Sequence, residues 1–113
     1  MAKIIVNKFI PFKGFLAINL FGTIFVREEY KNQLNERVLN HELIHSEQIK
    51  ELGYILFYIL YLAEWLIRVL LTKDAFSQRS YYNLSFEKEA FSNEDNLDYI
   101  KTRKQYAWMK YFL

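Results

Sequence analysis

The spacing of apolar residues divides the chain into a strand-rich beginning and three helical segments. Residues 3–28 are rich in Ile, Val and Phe and are interrupted by glycines and a proline, which is typical of short strands. Within them, the Asn-Leu-Phe-Gly run at residues 19–22 predicts the turn of a hairpin with arms near 14–18 and 23–28. We therefore expect a small N-terminal sheet.

The first helical pattern covers about residues 35–52. Its apolar positions recur three and four residues apart, and either Asn32 or Asn35 could cap its beginning. Gly53 follows as a natural stop or kink.

The second helical segment, residues 54–71, is apolar enough to raise the question of a membrane span. Glu64 and Arg68 lie four residues apart within it, as a helical ion pair would. The more polar residues of the segment share one stripe, formed by Tyr54, Tyr58, Tyr61 and Arg68. The stripe favours a core helix of a soluble domain over a lone span, and a helix on a membrane surface is the alternative.

The third helical segment is predicted over residues 85–104, with Ser85 as its cap. Its acidic residues come first and its basic residues last, which suits the helix dipole. The sum is an α+β fold in one domain over residues 1–113, with a small sheet or hairpin followed by three helices.

Composition narrows the classes of function. Hydrophobic residues make up 52% of the chain and aromatic residues 19%, so the chain should fold. A net charge of +2 is too small to predict a nucleic-acid partner. The absence of Cys excludes disulfides and thiolate metal sites and fits a reducing compartment. Because the first residues do not resemble a secretory signal, we expect a cytoplasmic protein, with peripheral membrane association as the alternative. The sequence does not indicate an oligomeric state.

The chemistry-bearing motif is an HExxH run in the first helical segment. His41 and His45 are the only histidines of the chain, and on a helix they share one face. Two imidazoles at that spacing can bind one zinc ion, and Glu42 can reach a water on that ion and accept its proton. This arrangement is that of zinc-dependent peptidases. The alternative is that the two histidines only pack in the core.

The third ligand can be narrowed by elimination. Without a third His or any Cys, it must be an Asp or a Glu. The best candidates are Glu87 and Glu89, of which only one can face the metal, because they point in nearly opposite directions on a helix. Alternatively, both are first-turn carboxylates that serve the helix dipole.

The chain resembles the gluzincins, zinc peptidases in which HExxH is followed by a glutamate in an ExxA-type motif. Here Glu87 to Ala90 matches that motif, with Glu87 in the ligand position. The run at residues 38–43 is also similar to that of CAAX-type endopeptidases and antibiotic-sensing membrane metallopeptidases, and minigluzincins have about this size. The resemblance implies a minimal zincin-like domain, Glu87 as the third ligand, and Glu89 turned outward or paired with basic neighbours.

The chain departs from the gluzincin pattern in two places. The aspartate that supports a zinc-bound histidine in that family is replaced by Phe91. Glu94 lies on the same helix face as Glu87 and could take over the role of the missing aspartate. The family also uses an oxyanion stabiliser outside the motif, for which Tyr81 and Tyr82 are candidates.

These patterns predict a zinc-dependent peptidase acting on a peptide or protein substrate, which would bind as an extended strand along the hairpin edge. The alternative is a weakly active or inactive zinc-binding module, regulatory or interacting, with the same core. A third hypothesis is a membrane-associated protein, anchored by residues 54–71 or 101–113.

Overall fold

A computed structural model describes residues 3–11, 15–72 and 84–112. A three-stranded sheet precedes the helices, so the predicted small α+β domain is confirmed. The strands are β1 (Ile4–Asn7), β2 (Ala17–Leu20) and β3 (Thr23–Arg27). β3 is central, parallel to β1 and antiparallel to β2.

The predicted hairpin is formed by β2 and β3. Its two turn residues, Phe21 and Gly22, have φ angles of 54° and 92°. A glycine such as Gly22 adopts a positive φ without steric cost. The side chain of Asn19 accepts a hydrogen bond from the Gly22 N–H at 2.8 Å and so closes the turn. The same side chain donates to the backbone oxygen of Glu42 at 2.8 Å, which ties the hairpin to the HExxH helix.

A short 3₁₀ helix, Glu28–Gln33, leads to α1, Glu36–Glu51. Of the two capping candidates, Asn35 is the cap, because its side chain accepts from the Val38 N–H at 2.9 Å. Gly53, with a φ of 71°, follows the end of α1. The next helix, α2 (Ile55–Thr72), leaves at an angle of 110° to α1.

One half of α2 faces the domain and the other half faces outward. The Tyr and Arg stripe lies mainly on the inner half, with Phe57 and Glu64 buried beside it. The expectation of a core helix is therefore wrong for the outer half. The outer half, here called the aliphatic face, consists of exposed Ile55, Leu56, Ile59, Leu62, Leu66, Ile67, Leu70 and Leu71.

None of the helices in the described ranges is by itself long and apolar enough to cross a membrane. Taken together, α1 and α2 reach the length and composition of a span, but the chain bends by 110° between them.

The helix predicted over 85–104 is instead two helices, α3 (Ser85–Asn93) and α4 (Tyr99–Thr102). At the break, the side-chain amide of Asn40 in α1 donates to the backbone oxygens of Asn93, Glu94 and Asn96 at 2.9 to 3.3 Å. These bonds satisfy carbonyl groups that the end of a helix leaves without a partner four residues on.

The predicted cap of the last helix is also corrected. Leu84, not Ser85, is the N-cap residue of α3, and it makes no side-chain cap bond. The carboxylate of Glu64, on α2, takes the place of the missing cap side chain. It accepts hydrogen bonds from the Ser85 N–H at 2.9 Å and from the Ser85 hydroxyl at 2.6 Å. These bonds join α2 to the beginning of α3.

The apolar core lies between α1, α2 and α3, around Ile49, Phe57 and Phe86. A final 3₁₀ helix, Ala107–Tyr111, packs back on it, with the Trp108 ring 4.5 Å from the Phe86 ring. This core holds the HExxH helix against the helix that carries the ExxA motif.

Candidate metal centre

Helices α1 and α3 bring the three predicted ligands together. One oxygen of Glu87, Oε1, lies 3.1 Å from His41 Nε2 and 3.0 Å from His45 Nε2. The donor atoms of the three residues all lie within 4.8 Å of one another. Ligands bonded to a tetrahedral zinc ion at about 2.0–2.1 Å are separated by about 3.3 Å, so this group could hold a metal ion.

The three residues form a closed electrostatic unit. His41 and His45 are each 5% exposed and Glu87 is 3% exposed. Burial would lower the pKa of His45, but the adjacent Glu87 carboxylate raises that pKa to about 9. Burial would likewise raise the pKa of Glu87, but the two imidazoles hold it below its ordinary value. The carboxylate thus stays ionised and requires a positive partner, which a proton on an imidazole or a cation can supply.

Glu42 lies one residue further round α1, beside this group. It is only 5% exposed, and burial raises the pKa of its carboxyl group above the ordinary value, while His45 and His41 act in the opposite direction. A raised pKa brings a carboxylate closer to the neutral range in which a general base works best. The hydrogen bond from Asn19 to its backbone oxygen places Glu42 next to strand β2.

The second oxygen of Glu87 is held by a residue that the sequence analysis did not assign to the site. The Tyr61 hydroxyl of α2 donates to Glu87 Oε2 at 2.8 Å. The signal that could have found it was the polar stripe on an otherwise apolar helix, because a hydroxyl turned inward needs a buried acceptor.

Gln48 holds the other ring nitrogen of His45 and was also missed. Its side-chain oxygen lies 2.7 Å from His45 Nδ1. Its amide donates to Phe86 O at 3.0 Å and to Glu89 Oε1 at 2.9 Å, which fixes the oxygen toward the imidazole. His45 Nδ1 therefore donates to Gln48, and Nε2 faces Glu87 with either a proton or, once that proton is lost, a lone pair for a cation. The signal was again present, because positions 41, 45 and 48 share one face of α1.

Glu89 does not face outward, so that expectation is wrong. It is fully buried and accepts from Gln48, from the Tyr99 hydroxyl at 2.7 Å and from Arg103 at 2.6 and 3.0 Å. Burial would raise the pKa of Glu89, but Arg103 and the other donors lower it. The pairing with a basic residue was predicted, although the pair is internal rather than on the surface.

Arg103 joins α3 to the end of α1. Besides Glu89, it forms a two-pronged ion pair with Glu51 at 2.8 and 2.9 Å. Such parallel bonds between guanidinium and carboxylate are both strong and directional. Successive side-chain bonds therefore connect the C-terminal part of the protein with His45. They pass from Arg103, which also holds Glu51, through Glu89 to Gln48.

Phe91 and Glu94 lie on the α3 face that is turned toward α1, together with Glu87. The Phe91 ring is 4.5 Å from the His41 ring, and Glu94 Oε1 is 3.4 Å from His41 Nδ1. The other oxygen of Glu94 pairs with Arg37 at 2.6 Å. Both imidazoles thus direct Nε2 at Glu87 and have an oxygen near Nδ1, the arrangement usual for metal-bound histidines. Tyr81 and Tyr82, the candidates for an oxyanion stabiliser, lie outside the described residues.

Comparison of the chain with protein-family models, with curated proteins and with solved structures finds no match to any of the three.

Proposed function

We propose that the protein is a zinc-dependent peptidase of gluzincin type. The observation that supports this most is the meeting of His41, His45 and Glu87, because HExxH and a distant glutamate converge on one point with both Nε2 atoms directed inward. The donor set is two imidazoles and one carboxylate, which suits a zinc ion that keeps an open position. The neighbouring glutamate of the motif is what distinguishes a hydrolytic site from a purely structural one.

In this proposal each residue has a separate task. His41, His45 and Glu87 would hold the ion, and a bound zinc ion would polarise the scissile carbonyl group and acidify the attacking water. Glu42 would accept a proton from the attacking water and return it to the leaving amine. Tyr61 orients the carboxylate of Glu87, Gln48 orients the imidazole of His45, and Glu94 places a carboxylate oxygen 3.4 Å from the Nδ1 atom of His41.

Strand β2 offers a place for an extended substrate. Among the described strands it lies at one edge of the sheet, because it pairs only with β3. Asn19, within β2, bonds to the backbone of Glu42 and to the Ser46 hydroxyl, so this edge runs beside the general base. A peptide that adds to the edge as a further strand would carry its scissile bond past Glu42.

The decisive experiment measures zinc content and peptide cleavage in the same preparations. Glu42→Gln should retain about one zinc per chain and lose cleavage of a peptide library, because the isosteric amide cannot accept a proton. Glu47→Gln is the matched control, since Glu47 lies on the same helix but pairs with Lys50 near the surface. Cleavage by the Glu42→Gln protein at the rate of the control would overturn the assignment of the base.

The burial of the centre favours a second candidate function. The ligands and Glu42 are each at most 5% exposed, which leaves a narrow approach for a substrate. We infer as the alternative a module in which zinc joins α1 to α3 and supports binding rather than hydrolysis. A wild type that contains zinc but cleaves no peptide would favour this module. A wild type that does not bind added zinc would exclude both functions.

A further inference from the structure

The aliphatic face of α2 is an extended apolar surface, within the described residues, that the proposed peptidase site does not use. It presents eight Ile and Leu side chains that are 45% to 75% exposed. The two charged residues of α2 lie away from it. Glu64 is buried against Ser85, and Arg68 donates to the Phe112 backbone oxygen at 3.1 Å. A contiguous apolar surface of this kind is uncommon on a soluble monomer and indicates an interaction site.

The composition of the face indicates which kind of partner it fits. Protein interfaces rely on Trp, Tyr and Arg anchors with hydrogen-bonding groups around them. Here the aromatic residues of α2, including Phe57 and Tyr61, are turned inward, and the outer half has only aliphatic side chains. Such a surface forms no directional bonds, which is what the hydrocarbon boundary of a lipid bilayer requires of a helix lying in it.

The charges next to the face match a lipid surface of negative charge. Residues 99–112 contain no Asp or Glu, and Lys104 and Lys110 among them are exposed, whereas the exposed Lys101 lies 3.6 Å from Asp98. The bond from Arg68 to Phe112 joins the end of this segment to α2 one helical turn from Leu71 of the face, and Met109 and Phe112 are 61% and 48% exposed there. Basic residues beside an apolar helix face are attracted to anionic headgroups.

We propose that the protein docks on anionic phospholipid bilayers through the aliphatic face of α2 and the adjoining basic C-terminal segment. The helix lies along the surface rather than across it, because its inner half is bonded to the domain through Glu64 and Tyr61. This proposal does not rest on the metal centre, which lies on the opposite side of α2.

Co-sedimentation of the full chain with lipid vesicles tests the proposal. The wild type should bind vesicles containing phosphatidylglycerol, and it should bind pure phosphatidylcholine vesicles more weakly, by about fivefold for each lysine engaged. Leu62→Gln should weaken binding by about tenfold, because one inserted leucine is replaced by a polar side chain. Leu66→Gln is a second variant of the same kind, so the result does not depend on one substitution.

Leu97→Gln is the matched control, because Leu97 is 52% exposed and Leu62 is 55% exposed, but Leu97 lies between α3 and α4. It should bind vesicles like the wild type. Three results would each overturn the proposal. The first is a wild type that fails to bind phosphatidylglycerol vesicles. The second is equal binding by the Leu62→Gln and Leu97→Gln variants. The third is a dimer, found by light scattering, that Leu62→Gln dissociates. Zinc content, measured in every sample, keeps this outcome separate from that of the metal centre.

Discussion

Two regions of this protein reverse the usual placement of residues. Between α1 and α3, the ionisable side chains of His41, Glu42, His45, Glu87 and Glu89 are almost completely buried. On the outer half of α2, large aliphatic side chains are exposed instead. Buried charges cost free energy unless they are paired, and an exposed apolar surface forgoes the gain from burial. Stability alone would favour neither region, so both are where function is to be sought.

The two regions differ in how completely they are satisfied within the chain. Glu87 has three partners, and Glu89 is surrounded by Gln48, Tyr99 and Arg103. The carboxylates of Glu87 and Glu89 are thus held by hydrogen bonds from within the chain, as a site that must position a ligand requires. The aliphatic face is exposed in the described structure, so a partner that covers it would gain free energy from its burial. The following substitutions test this difference.

The largest effect is expected at the histidines. His45→Ala should reduce the zinc content from about one per chain to near zero, because it removes one of three protein ligands. A chelator should lower the midpoint of thermal unfolding of the wild type but not of this variant, since only the wild type gains stability from the ion. The control is Glu47→Gln, whose zinc content should match the wild type. A wild type that contains no zinc and binds none when it is added would contradict the prediction.

Glu87 and Glu89 are expected to separate in a different way. Glu87→Ala should weaken zinc binding by more than about 100-fold, beyond the loss typical of residues that only support a ligand. Glu89→Ala should instead lower the free energy of unfolding by about 3–5 kcal/mol, because it leaves Arg103 partly unpaired in the interior. Zinc titration and denaturant unfolding measure the two quantities. The opposite pattern, with zinc affinity lost in Glu89→Ala and retained in Glu87→Ala, would reverse the assignment.

The elements that depend on local signals could be predicted from the sequence. The hairpin turn at Phe21 and Gly22, the Asn35 cap and the end of α1 near Gly53 each follow from the backbone preference of one or two residues. The helix predicted through residue 104 failed because Asn40, more than fifty residues earlier, captures the carbonyl groups at its end. Local patterns contain no information about such distant partners.

The centre itself shows the same division. The pairing of His41 with His45 follows from their spacing, and Glu87 was preferred to Glu89 through the gluzincin resemblance; the structure brings these three side chains together. Gln48 and Tyr61 were not predicted, since neither is a metal ligand and each acts through a hydrogen bond across helices. The outward orientation of half of α2 was also missed, because the sequence distinguishes the two faces of an apolar helix but not which of them the rest of the chain covers.

A smaller effect is expected at Gln48, which accepts a hydrogen bond from His45 Nδ1, the ring nitrogen that faces away from Glu87. Gln48→Ala should weaken zinc binding by about 10- to 100-fold, because the imidazole loses the acceptor that fixes its tautomer and orientation. Gln48→Glu restores an oxygen at the same place and should recover part of the affinity. Nitrogen NMR of the imidazole in the metal-free protein gives a separate measurement, since the pKa of His45, which the bond to Gln48 helps to raise, should fall in Gln48→Ala. An unchanged zinc affinity in Gln48→Ala would show that Phe57 and the other packing around His45 are sufficient to orient it.

The smallest effect, and the sharpest test of the comparison, is expected on the aliphatic face. Leu66→Gln should change the free energy of unfolding by less than about 0.5 kcal/mol, because the side chain is half exposed and Leu and Gln have similar helix propensities. Phe57→Ala, on the inner half of the same helix and 4% exposed, should cost about 3–5 kcal/mol. Urea unfolding of both variants at low protein concentration measures the contrast. If Leu66→Gln is as destabilising as Phe57→Ala, another part of the chain covers the face and α2 is a core helix after all. If the two differ as expected, the exposed leucines are free to serve a partner at little cost to the fold.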